Sequence, residues 1–138
     1  MGEASNGKSF AVNIADTPGH CNYEDEVEVG LRLADGVVLV VDVVEGVMLG
    51  TERIIRRAVL LGLPIVVVLN KIDRLVLELR LPPADAYHKI KHTLEQINYI
   101  LRSVGSEELI SPTAGNVVFA SSDLGGVFTL ESWALMHF

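Results

Sequence analysis

The stretch IVVVLNKID, residues 65–73, is a run of β-branched and aliphatic residues that ends in a polar cluster. Such a run is typical of a strand buried on both faces of a parallel sheet. A similar run covers residues 37–43, and a shorter one covers residues 117–120. We therefore predict strands over residues 37–43, 65–69 and 117–120, the first two buried on both faces.

Helical patterns separate these strands. The clearest is an amphipathic helix over residues 84–104, whose apolar stripe is Tyr87, Ile90, Leu94, Ile97, Leu101 and Val104. Further helices are predicted over residues 23–34, with Asn22 as N-cap, and over residues 51–61 and 130–137. Residues 10–15 alternate in the manner of another strand. This order predicts an α/β fold, a mostly parallel sheet with crossover helices.

Composition limits the functions that this chain can have. Its 138 residues are enough for one domain, and 49% hydrophobic with 21% charged residues is a globular composition. The net charge of −7 argues against unaided binding to nucleic acid or an anionic membrane. Cys21 is the only cysteine, so no internal disulfide can form, which favours a reducing compartment. The most apolar stretch, residues 37–44, is too short to span a bilayer.

Three predicted strands end in clusters of polar or small residues: DTPGH at 16–20, NKID at 70–73 and ASSD at 120–123. The carboxyl ends of parallel strands lie along one rim of the sheet, where α/β folds bind their ligands. We therefore expect the three clusters to share one rim.

The NKID cluster has the chemistry for guanine. A carboxylate such as Asp73 can accept hydrogen bonds from a ring N–H and the exocyclic amine of guanine, a donor pair that adenine lacks. Asn70 could bind the loop and the base edge, while the stem of Lys71 could cover a ring face. The alternative is an ordinary polar exit from a strand.

The DTPGH cluster suits the phosphate end of a nucleotide. Asp16 could hold Mg²⁺ through its water shell, and the Gly19 amide can approach a terminal phosphate because no side chain intervenes. His20 could position an attacking water. The alternative is a common Thr-Pro-Gly turn with a solvated histidine, but the two clusters in this order favour a GTPase-type rim.

The order and spacing of these motifs resemble the G domain of translational-type GTPases of the elongation factor 2 class. The segments EGVMLGTER (45–53) and LPPADAY (81–87) are most similar to the spliceosomal branch of that class, the U5-type GTPases. The resemblance runs from about Gly7 to the end of the chain.

The resemblance implies a set of roles. Asp16 would be the acid on the Mg²⁺ side, Gly19 the γ-phosphate amide and His20 the residue that orders the hydrolytic water. The guanine readers would be Asn70, Lys71 and Asp73, with Ser121 and Ser122 in the last base-contacting loop, acting through their backbone amides. GTP or GDP and Mg²⁺ would be the cofactors. Spliceosomal proteins, and RNA through the complex, would be the partners of a GTPase in the nucleus.

The segment GEASNGKS, residues 2–9, matches the P-loop pattern. A working P-loop follows a strand and opens a helix, because the phosphates bind at the helix N-terminus. Here only Met1 precedes the segment and a strand pattern follows it. We therefore interpret it as the tip of a turn: a flexible turn over residues 1–8, ahead of a partial G-domain core over residues 9–138.

In the resembling family a P-loop, a first strand and a switch segment with a Mg²⁺-binding threonine come before the acid that Asp16 matches. We expect the first strand and P-loop to be absent here. The polypeptide alone would then neither bind GTP tightly nor hydrolyse it, and it would be marginally stable or prone to aggregate.

Other interpretations stay open. The chain could derive from an elongation factor 2-type ribosomal translocase, which would place it in the cytoplasm, or it could be a non-enzymatic remnant that only docks on partners. His88 and His92 lie one helical turn apart, but their flanking lysines would repel a cation, so we expect a solvated helix face and no metal cluster.

Overall fold

Parallel strands form the centre of the structure. The computed structural model describes residues 9–137, the side chain of Cys21 apart, so the predicted turn over residues 1–8 lies outside the described residues. Strands β1 (Val37–Asp42), β2 (Ile65–Asn70) and β3 (Val117–Ser121) pair in parallel, and β4 (Gly126–Phe128) pairs antiparallel with β3. The strand order is β1-β2-β3-β4. The predicted α/β fold with a mostly parallel sheet is confirmed.

Helices connect and flank these strands. They are α1 (Glu24–Leu33), α2 (Leu49–Leu60), α3 (Ile72–Leu77), α4 (Pro83–Ser103) and α5 (Leu130–His137), with 3-10 turns at Cys21–Tyr23 and Pro112–Ala114. The long predicted helix is confirmed to within one residue at each end, and a proline opens it, where the missing N–H costs nothing. No helix in residues 9–137 is long and apolar enough to cross a membrane.

The core lies against one face of the sheet. The register sets Leu39 beside Val67, and Val67 beside Val117, so their side chains share a face. The apolar stripe of α4 packs into the same cluster together with Ile55 of α2. The buried members of that stripe are Leu94, Ile97 and Leu101, whereas Tyr87, at its start, is exposed.

The opposite face of the sheet is open at β1. Val38 is 67% exposed and Val40 is 59% exposed, so the expectation that this strand is buried on both faces is wrong. Burial on both faces needs a helical layer on each side. In the main hydrophobic cluster of the described residues, the buried helical side chains come from α2 and α4, and both helices pack on the face opposite these valines. β1 is also an edge strand, with one row of backbone groups outside the ladder.

The strand predicted over residues 10–15 is not formed. This segment belongs to no strand, and Phe10 is 72% and Ile14 91% exposed. Alternation alone does not make a strand, because a strand is stable only when it pairs with a neighbour. No strand of the described chain pairs with this segment.

The start of α1 also differs from the prediction. Asn22 lies inside a 3-10 turn rather than at a helix N-cap, and its N–H donates to Nδ1 of His20 at 3.2 Å. The helix begins at Glu24, and acidic residues fill its first turn, where they favour the positive end of the helix dipole.

Candidate functional site

The ends of β2 and β3 meet at the rim that the sequence predicted. Asn70 ends β2, and its Oδ1 accepts the N–H of Lys71 at 2.8 Å and the N–H of Ser122 at 3.3 Å. One amide side chain therefore fastens the loop after β2 to the loop after β3.

Asp73 and Ser121 form a second link across the same rim. Ser121 ends β3, is 5% exposed and donates its hydroxyl to Oδ1 of Asp73 at 2.5 Å. The hydroxyl oxygen of Ser121 also accepts the N–H of Leu124 at 3.2 Å. Sequence reasoning expected the serines to act through their backbone amides. The structure instead gives Ser121 a side-chain contact with Asp73, which pattern alone could not reveal.

Lys71 turns the chain between β2 and α3. Its backbone is left-handed, with φ 62° and ψ 36°, a conformation that costs a non-glycine residue about 1–2 kcal/mol. Its ammonium lies 2.9 Å from Oδ2 of Asp42, the last residue of β1. The rim therefore joins three strand ends. From the sequence Asp42 is expected only to be structural or to cap the loop after its strand, because nothing there pairs it with Lys71.

A neighbouring ion pair adds charge to this region. Arg74 donates to Glu78 at 2.7 Å and its Nη1 lies 3.6 Å from Oδ2 of Asp42. The hydrogen bond with Glu78 raises the pKa of Arg74, and the same bond lowers the pKa of Glu78. Within residues 9–137, Nε of Arg74 is the buried side-chain atom without a hydrogen-bond partner.

The DTPGH turn lies against α1. Asp16 and Gly19 are exposed, and a Cβ built on Gly19 would meet nothing within 4 Å. A Cβ on Gly30 of α1 would lie 2.8 Å from the methyl group of Thr17, so the turn packs closely on the helix. The structure brings NKID and ASSD together. It does not bring Asp16 into hydrogen-bond contact with either among the described residues.

Ion pairs hold α1 on α2. Both carboxylate oxygens of Glu28 accept from Arg57, with Nε distances of 2.9 and 2.7 Å, and Arg32 donates at 2.8 Å. The Arg57 and Arg32 guanidinium groups hold the pKa of Glu28 at about 2. Arg53 and Glu24 make a further pair. These contacts fix the position of α1 and, through Thr17, of the DTPGH turn.

A shallow groove of about 410 Å³ lies between α2 and α4. Its lining residues are Val47, Glu52, His92, Glu95, Gln96, Tyr99 and Ile100. The ring of His88 instead contacts Tyr87 edge-on. No group of three or more potential ligand residues in the described part of the chain could hold a metal ion.

The fold and the rim agree with one class of protein, the α/β nucleotide-binding domains of the GTPase type. A family model described as the elongation factor Tu GTP binding domain matches residues 3–132. The chain belongs to that family.

Curated relatives carry the comparison further. The chain is 55% identical to the 110 kDa U5 small nuclear ribonucleoprotein component CLO of Arabidopsis thaliana, over 98% of this chain and 14% of that relative. It is 54% identical to the pre-mRNA-splicing factor cwf10 of Schizosaccharomyces pombe, over 95% of this chain and 14% of the relative. It is 39% identical to the pre-mRNA-splicing factor SNU114 of Saccharomyces cerevisiae, over 95% of this chain and 13% of the relative.

The likeness to U5-type spliceosomal proteins that the sequence motifs predicted is thereby confirmed. The chain spans about 14% of the length of the first two of these relatives. What those longer proteins do as a whole comes to this chain only as a proposal.

Proposed function

We propose that this chain is part of the GTP-binding and GTP-hydrolysing switch domain of a U5-type spliceosomal GTPase that acts in pre-mRNA splicing. One observation carries the proposal: Asp73 of the NKID motif is held by Ser121 at the joined ends of β2 and β3. The likeness to U5 and splicing proteins over nearly the whole chain supports the choice of branch, and it supports a nuclear ribonucleoprotein assembly as the proposed partner.

Guanine recognition follows from the chemistry of the rim. The Asp73 carboxylate accepts two hydrogen bonds from guanine, and the Ser121 hydroxyl fixes the orientation in which it does so. Asn70 fastens the two loops together, beside the proposed position of the base. Lys71 covers one face of the ring with its methylene stem, and Ser122 contributes to the last base-contacting loop.

The DTPGH turn serves the phosphate end. Gly19 offers its amide to the terminal phosphate, since nothing lies within 4 Å of where a side chain would be. Nδ1 of His20 accepts the N–H of Asn22 at 3.2 Å, which holds the ring at the turn. His20 would position the attacking water.

For Mg²⁺, this turn offers one carboxylate ligand. Asp16 is an exposed carboxylate, and a metal that keeps most of its waters and the phosphate oxygens needs only one or two carboxylates from the protein. Bound there, Mg²⁺ would neutralise charge on the β- and γ-phosphates.

The 138-residue polypeptide by itself is proposed to bind GTP weakly. Strong phosphate binding uses several N–H donors and a cation, and the turn at residues 16–20 offers little beyond the Gly19 amide. Tight, Mg²⁺-dependent binding of GTP to the isolated polypeptide in isothermal titration would contradict this.

The test of the main proposal uses the full-length protein that contains this domain. Its affinity for GDP, ADP and xanthosine diphosphate is measured before and after Asp73→Asn. We expect the wild type to prefer GDP, because two charge-assisted hydrogen bonds are worth about 3–6 kcal/mol, or roughly two to four powers of ten. Xanthine replaces the amine of guanine by a carbonyl, so the asparagine variant should favour the xanthosine nucleotide.

Equal affinity of the wild type for GDP and ADP would contradict the proposal. Glu78→Gln is the matched control, since it removes a nearby carboxylate that faces Arg74 rather than the rim. Co-purification of the full-length protein with U5 particles tests the branch, and co-purification with ribosomes would point to the translocase alternative.

A further inference from the structure

Asp42 is a mostly buried carboxylate whose two oxygens bind different groups. Its side chain is 14% exposed at the end of β1. Oδ1 accepts the N–H of Val44 at 2.8 Å and that of Glu45 at 3.4 Å, which caps the turn after the strand. Oδ2 receives the ammonium of Lys71 at 2.9 Å and lies 3.6 Å from Arg74. One oxygen thus holds the β1 turn and the other holds the loop that follows β2.

These contacts keep the carboxyl group of Asp42 ionised. Burial raises the pKa of a carboxylate, and here the hydrogen bond from Lys71 together with the N–H of Val44 outweighs burial, so the pKa of Asp42 lies below its usual value. A charged Asp42 therefore faces a charged Lys71 under ordinary conditions.

Lys71 is held at two points. Its backbone N–H donates to Oδ1 of Asn70, which supports the left-handed turn, and its ammonium is anchored on Asp42. A lysine side chain has four rotatable bonds and loses much rotamer freedom when it is ordered. With the ammonium anchored, that loss has largely occurred before a ligand arrives.

We propose that Asp42 is a positioning residue for guanine-nucleotide binding. It anchors the ammonium of Lys71 so that the methylene stem stays extended along the rim, where it covers one face of the guanine ring. The inference rests on the proposed function, because it deepens the role given there to Lys71.

The rival explanation is that Asp42 only caps the turn after β1. Asp42→Asn separates the two roles, since an asparagine oxygen still accepts from Val44 and Glu45 but carries no charge for Lys71. Asp42→Ala removes both. Glu78→Gln is the matched control, because it breaks an ion pair of the same Arg74 without touching Lys71.

The experiment measures release of ribose-labelled fluorescent GDP from the full-length protein by stopped flow, alongside its melting temperature. We expect Asp42→Asn to speed GDP release about tenfold, since affinity changes within one site appear mainly in the dissociation rate. Its melting temperature should stay near that of the wild type, and Glu78→Gln should release GDP at the wild-type rate.

A double-mutant cycle with Lys71→Met completes the design. If Asp42 acts through Lys71, Asp42→Asn has little further effect on GDP release once the ammonium is gone. An equal acceleration in both backgrounds, or wild-type release by Asp42→Asn, would overturn the inference. A wild-type protein that does not bind GDP at all would instead remove the proposed function, and the inference with it.

Discussion

The hydroxyl of Ser121 donates to the carboxylate of Asp73 at 2.5 Å, across 48 residues of sequence. This bond ties the end of β3 to the first turn of α3, and the N–H of Leu124 completes it by donating to the same hydroxyl oxygen. A carboxylate held by a buried hydroxyl has already lost its rotational freedom, so a ligand that binds it meets a fixed acceptor.

Ser121→Ala tests this relationship. The substitution removes a donor to a charged group, and such a bond contributes about 1.5–3 kcal/mol. We expect GDP affinity of the full-length protein to fall by roughly tenfold or more, measured by equilibrium fluorescence titration. Ser106→Ala, in the loop after α4, is the control. A loss of affinity in both variants, or in neither, would show that the Asp73 contact does not matter for the ligand.

Gly30 and Thr17 make a second testable contact. An alanine in place of an interior helix glycine normally stabilises a protein by about 1 kcal/mol. Here the new Cβ would lie 2.8 Å from the methyl group of Thr17, so the turn must shift and the gain should be lost. We expect Gly30→Ala to show little gain in the free energy of unfolding, measured by chemical denaturation, and to slow GTP hydrolysis by the full-length protein because the DTPGH turn is displaced.

Thr17→Ser is the compensating change, because serine keeps the hydroxyl and lacks the methyl group. The double variant should recover the roughly 1 kcal/mol that helix propensity predicts and regain hydrolysis. If Gly30→Ala alone already gains that amount at an unchanged hydrolysis rate, the close contact between turn and helix is not present in solution.

Much of the fold could be predicted from local patterns. The two long β-branched runs form β1 and β2, and the stripe from Ile90 to Leu101 lies on α4. Both patterns could be read from the sequence because both reflect burial in a core. The rim was predictable for the same reason, since parallel strands present their ends together. The NKID and ASSD loops accordingly meet through Asn70.

Other features depended on partners far away in sequence. Phe10 and Ile14 belong to a segment that alternates like a strand, yet no described strand pairs with it. Strand propensity alone does not form a strand without a hydrogen-bonded neighbour. The contacts of Asp42 with Lys71 and of Ser121 with Asp73 join residues separated by 29 and 48 positions, and no local pattern contains them. Helix α3 was missed as well, since its six residues are too few to show a period.

The ion pair of Glu28 with Arg57 makes the packing of α1 on α2 sensitive to acid. Its pKa lies at about 2 instead of 4.5, because it accepts hydrogen bonds from Arg57 and Arg32. A lowered pKa in the folded state contributes stability that is complete above pH 4.5 and is lost as the pH falls toward 2. We expect Glu28→Gln to lower the melting temperature near neutral pH, and the gap from wild type to close in acid. Arg57→Met should behave alike, and a gap that is constant with pH would contradict the ion pair.

The open face of β1 should make the isolated 138-residue polypeptide associate with itself. Val38 and Val40 are more than half exposed on the open face of the sheet, and an exposed apolar patch favours association with another chain. Threonine has the size and strand propensity of valine but keeps its hydroxyl in water, so Val38→Thr with Val40→Thr should leave the fold intact while lowering the apparent mass in sedimentation velocity. Val29→Thr, at an exposed position of α1, should leave the mass unchanged. If the double variant sediments like the wild type, association arises from another surface.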